Sequence, residues 1–268
     1  MKQVISKHAK KFDIRLFWQY RELLYMLVYR ELKIKYAETF IGILWSILNP
    51  LGFLVIFSIV FGVFLKIDTA EIPYPVFFLS GMAAWGYFAR VVQEASGAFL
   101  EFFDVIEKVY FPRIFIPISK VIVQLIDYAV AFLVLFVLML IYDIPFIFNL
   151  IYLPFVVLFT ILIASAAAIW ISALVARYRD LQQIVSFVLQ IGFYFTPVLY
   201  PIKVIPEFLQ AFYWLNPMAI IVSLHRWCIW GDAVPILQLS IVMLAAVFML
   251  ITGIFYAHKV EAIMADIL

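Results

Sequence analysis

The sequence predicts an all-α, polytopic membrane protein in which an amphipathic interfacial helix precedes six transmembrane helices. Of the 268 residues, 67% are hydrophobic and only 13% are charged, and the mean hydropathy is +1.10. Soluble domains are about half apolar and a quarter charged. No stretch between the apolar blocks is long enough to bury a core of its own. The composition therefore excludes a soluble enzyme and predicts one membrane domain over residues 1–268.

The first element is a predicted amphipathic helix over residues 13–35. At 100° per residue, polar and apolar side chains fall on opposite sides: Arg15, Gln19, Glu22, Arg30 and Lys33 oppose Phe17, Tyr20, Leu24, Leu27 and Val28. Such a helix lies in the membrane interface. Arg21 and Glu31 fall on the apolar side and do not fit the pattern. The helix serves either as a topogenic anchor or as a frame around a pore entrance.

Six apolar blocks follow, each long enough to cross a hydrocarbon core that takes about 20 residues per helix. The blocks cover residues 39–65, 74–100, 115–142, 149–176, 182–200 and 236–257. An even number of spans puts both termini on one side. Nine of the 19 basic residues fall in the first 35 positions, and only Lys66, Lys203 and Arg226 fall on the opposite side. The positive-inside rule therefore predicts cytoplasmic termini.

Charged residues interrupt two of these spans. Arg90 and Glu94 stand one turn apart in the second span, which predicts an ion pair on one helix face. Asp127 is the acid deepest inside a span, with Gln124 nearby. We interpret it as a hydrogen-bonding site in helix packing, although an acid within the membrane is also a candidate for proton coupling.

The connection between the second and third spans, residues 101–113, combines charges with aromatic rings. Glu101, Asp104, Glu107 and Lys108 alternate there with Phe102, Phe103, Tyr110 and Phe111. A helix this short has to dock on the membrane surface or on a partner protein, where aromatic residues serve as anchors. A solvated loop is the alternative.

Motifs for chemistry are missing from the sequence. Cys228 is the only cysteine, and the three histidines are far apart, so no disulfide, metal site or cofactor is expected. The nine glycines form no G-x-x-x-x-G-K-[S/T] loop, so the chain cannot hydrolyse ATP by that route. The energy for any transport must come from another polypeptide or from a gradient.

Several segments resemble the membrane subunits of ABC-2 type exporters: residues 29–51, 108–113, 177–201 and Asn216-Pro217. The resemblance covers nearly the whole chain in order and spacing. It is to the polysaccharide-exporting branch, which includes O-antigen, teichoic acid and capsule permeases. It implies a homodimer with a pore along its axis and two copies of a separate cytoplasmic ATPase, which binds the ATP and Mg²⁺.

The resemblance also assigns roles to two connections. Residues 101–111 would be a coupling helix seated in a cleft of the ATPase, through Glu101, Asp104, Glu107, Lys108, Tyr110 and Arg113. Residues 202–231 would form two helices, about 203–214 and 218–230, that re-enter the membrane from outside and gate the exit. Consistent with this, prolines and glycine break the stretch into two apolar pieces that are too short to span.

Two helix faces are candidates for the pore of such an exporter. The first span carries Trp45, Asn49, Phe53, Phe57 and Phe61 at every fourth position, and the fifth carries Gln183, Phe187, Gln190 and Tyr194. Glutamines are costly against lipid, so their face should contact protein or a wet passage. Aromatic rings stack on sugar faces, and amides exchange hydrogen bonds with hydroxyls. With 19% aromatic residues in the chain, a chance stripe is the alternative.

Arg177 and Arg179 lie in the link between the fourth and fifth spans and are candidates for a cytoplasmic entrance. Their guanidinium groups suit a lipid phosphate or a pyrophosphate-linked substrate. Alternatively, they determine topology while Asp180 caps the next helix.

The expected function is an ATP-driven exporter subunit for a lipid-linked, O-antigen-like polysaccharide in a bacterial inner (cytoplasmic) membrane. Teichoic acid or capsule export is the alternative within this class. A polytopic membrane transferase is the alternative of another class, although it would need clustered catalytic side chains. The expected partners are a second copy, the ATPase, the glycan and membrane lipids, with no nucleic acid.

Overall fold

The computed structural model describes residues 18–37, 40–70, 72–102 and 111–267. This part of the chain is mostly helical and contains no strand, as predicted. Its nine α-helices are α1 (Arg21–Leu32), α2 (Leu44–Phe57), α3 (Tyr74–Glu101), α4 (Phe115–Ile141), α5 (Leu153–Arg177), α6 (Leu181–Phe195), α7 (Glu207–Trp214), α8 (Pro217–Trp230) and α9 (Ile236–Ile267). A π-helical turn continues α1 over Lys33–Ala37, and another continues α2 over Ser58–Phe64.

Within the described residues, five helices are long and apolar enough to cross a membrane: Leu44–Phe64, Tyr74–Glu101, Phe115–Ile141, Phe148–Arg177 and Ile236–Val260. The protein is therefore an all-α, multi-pass membrane protein. The predicted fifth span, residues 182–200, corresponds to α6, an apolar helix of only 15 residues. At 1.5 Å per residue α6 is about 22 Å long, so it is shorter than the other five.

Helix α3 is the centre of the bundle and packs against α2, α4, α5, α6 and α8. In its most apolar window 67% of the residues are buried, compared with 11% in α2 and 17% in α9. Small residues such as Gly81, Ala84 and Ala95 line α3 and let neighbouring helices approach closely. Helix α2 is thus held loosely within one subunit and leaves most of its surface for lipid or another chain.

Two close contacts between a glycine and a tryptophan fix the outer helices. A Cβ atom at Gly192 of α6 would lie 2.8 Å from the ring of Trp85 in α3, and one at Gly253 of α9 would lie 2.8 Å from Trp170 in α5. The Trp170 indole also donates a hydrogen bond to the carbonyl oxygen of Met249, at 2.8 Å. Glycine is required at both positions because each ring lies directly against the backbone.

A separate hydrophobic cluster lies at the α1 end of the bundle. We name it the α1 cluster, and its buried members are Leu27, Ala98, Phe99, Phe102, Phe111, Ile114, Phe115, Ile116 and Ile169. It joins α1 to the end of α3, the start of α4 and the end of α5. The α1 side predicted to be apolar faces this cluster, while Gln19, Glu22, Arg30 and Lys33 are exposed.

The segment after α6 folds into two short helices, as predicted. The expected pieces 203–214 and 218–230 correspond to α7 and α8. Asn216 caps α8 by accepting a hydrogen bond from the amide of Met218 at 3.0 Å, and Pro217 occupies the first helical position, where its missing N–H costs nothing. Gly231 ends α8 with a left-handed φ of +80°. Helix α8 is largely buried against α3 and α5.

Candidate functional site

A buried carboxylate gathers donors from several segments in the middle of the bundle. Asp127 of α4 accepts from Lys35 Nζ at 2.8 Å, from Tyr36 Oη at 2.7 Å and from Arg90 Nη1 at 2.5 Å. It also accepts from the Ser46 hydroxyl. We name these residues the Asp127 cluster, and they join the π turn after α1 to α2, α3 and α4.

The Asp127 cluster corrects one prediction and extends another. Arg90 pairs with Asp127 and not with Glu94, which is exposed. Asp127 accepts hydrogen bonds between helices, as predicted, and it also forms ion pairs with two cations. The predicted neighbour Gln124 does take part, since its Oε1 accepts from Lys35 Nζ at 2.6 Å. Burial raises the pKa of Tyr36 to about 12, so its hydroxyl stays protonated as a donor.

A second ion cluster ties α1 to the ends of α3 and α4. Lys120 Nζ lies 2.6 Å from Glu31 Oε2 and 2.7 Å from Glu101 Oε2, and the lysine is only 1% exposed. Burial raises the pKa of the Glu31 carboxyl, while Lys120 opposes that shift. The other oxygen, Glu31 Oε1, has no hydrogen-bond partner among the described residues. We name this arrangement the Lys120 clamp.

The fifth-span candidates form one exposed face of α6. Gln183, Phe187, Gln190 and Tyr194 are all exposed, and the two rings are 61% and 57% accessible. The packed side of α6 contacts α3, where Ser186 Oγ donates to Gln93 Oε1 at 3.0 Å. The amide and aromatic face is therefore free within one subunit.

The first-span stripe divides into two parts. Trp45 and Phe53 are exposed and Asn49 is half-buried. Phe57 instead packs into the bundle, with its ring centroid 5.2 Å from that of Phe78 and 5.8 Å from that of Phe193. Phe61 is also half-buried and stacks on Tyr74. Only the half of the stripe near the start of α2 is exposed in the way a pore lining requires.

Of the residues expected at the ATPase contact, Glu101 and Arg113 are among the described residues. Asp104, Glu107, Lys108 and Tyr110 lie outside the described residues. Glu101 is the last residue of α3, and its side chain is 41% exposed while it binds Lys120. Arg113 is half-buried in the turn before α4.

Both entrance candidates are exposed. Arg177 ends α5 with its guanidinium 5.2 Å from the ring centroid of Tyr178, and Arg179 follows in the turn before α6. Asp180 occupies the N-cap position of α6, but its side chain makes no capping hydrogen bond. The capping role considered for Asp180 is therefore wrong, and the two arginines remain available to an anionic group.

An apolar groove runs along the other side of α6. It encloses about 740 Å³ between α3, α5, α6 and the helix pair α7 and α8. Its lining includes Trp85, Ala167, Val188, Gly192 and Phe212. The groove and the amide and aromatic face lie on opposite sides of α6, so this helix separates an apolar environment from a partly polar one.

Buried polar groups hold α8 in place. The Tyr128 hydroxyl lies 2.6 Å from His225 Nε2. The Arg226 guanidinium lies 3.7 Å from the ring centroid of Phe77 and donates to the carbonyl oxygen of Val198 at 3.3 Å. These contacts join α8 to α3, to α4 and to the turn after α6.

The sequence carries a signal for the Lys120 clamp. Glu31 is the acid that does not fit the apolar side of α1, and Lys120 is a base inside a predicted span. Two misplaced charges of opposite sign are expected to pair, because a buried charge is tolerated only with a partner. No such signal pointed to Lys35, Tyr36 or Ser46 as partners of Asp127. No group of three or more His, Cys, Asp or Glu side chains gathers in the described ranges in a way that suits a metal ion.

Comparison with known proteins adds the family context. The profile of the ABC-2 type transporter family matches residues 22–230. Over 235 residues the chain is 31% identical to the O-antigen export system permease protein RfbA of Myxococcus xanthus, and this alignment covers 85% of this chain and 90% of that protein. It is 26% identical over 249 residues to a protein of the same name from Klebsiella pneumoniae, with 92% and 95% covered. It is 24% identical over 204 residues to the polysialic acid transport protein KpsM of Escherichia coli, with 74% and 77% covered.

Proposed function

The chain belongs to the ABC-2 type transporter family, and we propose that it is the membrane subunit of an ATP-driven exporter for a lipid-linked, O-antigen-like polysaccharide. The transport class follows from the family and from relatives that are O-antigen export permeases. The lipid-linked substrate, the ATPase partner and the bacterial inner membrane are our proposal.

The exposed face of α6 is the observation that carries this proposal. Gln183 and Gln190 lie on that face in an otherwise apolar helix, and a side-chain amide facing lipid costs free energy. The face should therefore meet a wet passage or a second copy of the chain. Phe187 and Tyr194 on the same face offer rings to sugars. No charged side chain lies between Leu181 and Phe195, so a polymer would find no site that holds it tightly.

The same reasoning supports a second subunit and a separate ATPase. A passage bounded by exposed faces of α2 and α6 is open on one side, and a second copy related by a two-fold axis would close it. The sequence has no phosphate-binding loop of its own, so two copies of a cytoplasmic ATPase would supply the energy. We place both termini in the cytoplasm with this ATPase, as the distribution of basic residues indicates.

O-antigen is favoured over other polymers by the relatives. The match to the polysialic acid transport protein covers less of the chain at lower identity than the matches to the O-antigen permeases. The exposed Arg177 and Arg179 would receive the phosphate groups of a lipid carrier. The alternatives are a teichoic acid or capsule exporter and, in another class, a membrane transferase.

Deletion of the gene, followed by separation of lipid-linked glycans by membrane side, tests the proposal. We expect a lipid-linked polymer to accumulate on the cytoplasmic side and to disappear from the cell surface. A control strain carrying the gene on a plasmid should restore surface polymer. Loss of the polymer from both sides would indicate a transferase, and unchanged surface glycan would refute export of a polysaccharide.

A further inference from the structure

We infer that Lys120 is a positioning residue for energy coupling, which ties α1 to the adjoining ends of α3 and α4. Through this tie, a displacement of that end of the bundle would be passed through residues 31–36 to the start of α2. The inference rests on the proposed function, because it concerns how ATP-driven motion reaches the candidate passage.

The first support is the geometry of the Lys120 clamp. One buried ammonium group binds a carboxylate from α1 and another from the last residue of α3, at 2.6 and 2.7 Å. The neighbouring cation Arg30 lies over the Phe102 ring at 4.7 Å. Among the described residues, the cation that pairs with Glu31 and with Glu101 is Lys120. Glu31 is buried while Glu101 is partly exposed, so the clamp links the interior to the surface of the protein.

The second support is the anchoring at the other end of the same segment. Only four residues beyond Glu31, Lys35 enters the Asp127 cluster, and Tyr36 follows it. Ser46, near the start of α2, binds the same carboxylate. The segment 31–36 is thus bound to α4 at both ends, through Lys120 and through Asp127, and it meets α2 where Ser46 shares the Asp127 carboxylate.

The third support is the contrast in how tightly the helices are packed. The most apolar window of α2 is 11% buried, whereas that of α3 is 67% buried. A force applied through α1 therefore meets a helix that the rest of the subunit holds weakly. The exposed residues Trp45 and Phe53 of the candidate passage lie on this helix.

Stability alone is a weak explanation for the clamp. Buried ion pairs often contribute no more than well-packed apolar side chains would, and their best-attested use is to fix a register. Apolar residues at positions 31 and 120 would join α1 to the α1 cluster at least as firmly. A directional link between two carboxylates and one lysine fixes how α1 sits along α4.

The test compares a paired neutral variant with a charge exchange in the complete complex, reconstituted in liposomes with its ATPase and a lipid-linked glycan. K120M combined with E31Q removes one positive and one negative charge, so the net charge stays constant. K120E combined with E31K exchanges the two charges. The ammonium group then lies at position 31, and the carboxylates lie at position 120 and at Glu101. E94Q is the matched control, because Glu94 is an exposed acid two turns before Glu101 on α3.

We expect the neutral pair to assemble and to hydrolyse ATP, while glycan exported per ATP falls about fivefold or more, the size of an ordinary coupling free energy. The charge exchange should recover much of that ratio, and E94Q should match the wild type. A wild-type ratio in the neutral pair would overturn the inference. If the wild-type complex exports no glycan at all, the proposed function fails instead.

A distance measurement covers the case in which the neutral pair does not assemble. Spin labels at the exposed positions Glu22 of α1 and Phe248 of α9 report the movement of α1 in the complex with native Lys120. We expect their separation to change between the nucleotide-free and ATP-bound complex, and the separation between Glu22 and Leu48 of α2 to stay nearly constant. If α1 keeps its distance from α9 in both states, the inference is wrong.

Discussion

Adding one methyl group at Gly253 should release α9 from α5. In the Gly253→Ala variant the new Cβ would lie 2.8 Å from Trp170 Cδ1 and 3.0 Å from its Nε1, which is closer than real Cβ contacts allow. The Trp170 ring must therefore move. It would lose the 2.8 Å hydrogen bond to Met249 and its stacking on Tyr256, at a centroid distance of 4.9 Å.

The expected cost follows from these contacts. Overpacking costs about 1–3 kcal/mol, and the lost hydrogen bond costs about 1 kcal/mol. The higher helix propensity of alanine returns about 1 kcal/mol. The free energy of unfolding should therefore fall by about 1–3 kcal/mol, which corresponds to roughly 2–10 °C in the melting temperature of a chain this size.

Gly86→Ala is the matched control. A Cβ at Gly86 meets only the flexible end of Met82 at 3.8 Å, which is an ordinary contact, so this variant should melt at or above the wild-type temperature. Thermal unfolding of the purified proteins in one detergent measures both. If Gly253→Ala melts as high as Gly86→Ala, the ring does not lie against the backbone as described and the reasoning fails.

The remaining predictions concern the amide and aromatic face, the Asp127 cluster and α8. Phe187→Ala together with Tyr194→Ala should lower the export rate at least about fivefold, equivalent to about 1 kcal/mol, without changing assembly on size-exclusion chromatography. The control is Phe248→Ala, which removes an exposed ring on α9, and equal export rates in the double variant and the control would remove the α6 face from the passage. Asp127→Asn should lower the free energy of unfolding by about 2–3 kcal/mol, which is less than the 3–5 kcal/mol for breaking a fully buried pair, because its partners Lys35 and Arg90 are 28% and 33% exposed. A melting temperature equal to that of the wild type would contradict the cluster. Arg226→Lys should loosen α8, because lysine cannot reproduce a planar guanidinium over a ring; faster hydrogen exchange in residues 217–230 checks this, and unchanged exchange would count against the role of the ring contact.

The composition and the residues that begin or end helices were sufficient to predict much of the architecture. Apolar blocks of adequate length predict spans, and Asn216-Pro217 with Gly231 marks the limits of α8, because these residues act locally on the backbone. The length of α6 was overestimated because Val198, Leu199 and Tyr200 continue the apolar block after the helix has ended at Phe195. Hydropathy reports the environment of such residues and not their backbone conformation.

The partners of the buried charges were harder to predict. Arg90 and Glu94 are close in sequence, so a local rule paired them, whereas tertiary packing brings Asp127 within 2.5 Å of Arg90. Lys120 likewise binds Glu31, which lies 89 positions away. Helical periodicity determines which side of one helix a residue occupies, but it carries no information on which helix lies opposite. Of the predicted pore faces, that of α6 is exposed within one subunit, because its members point away from α3, and its place in a pore stays a prediction.

The shortness of α6 makes membrane thickness a variable in how this protein works. A hydrocarbon core is about 30 Å thick, whereas α6 measures about 22 Å, and a bilayer accommodates a short helix by thinning locally or by recruiting flanking segments, at fractions of a kcal/mol per Å of mismatch. The residues that directly follow Phe195 are buried in the protein, with Thr196, Val198 and Leu199 at most 1% exposed, so the bilayer around α6 would have to thin toward the length of the helix, beside the face that carries Gln183 and Gln190. Lipids with longer acyl chains raise the elastic energy stored at this position, and lipids with shorter chains lower it.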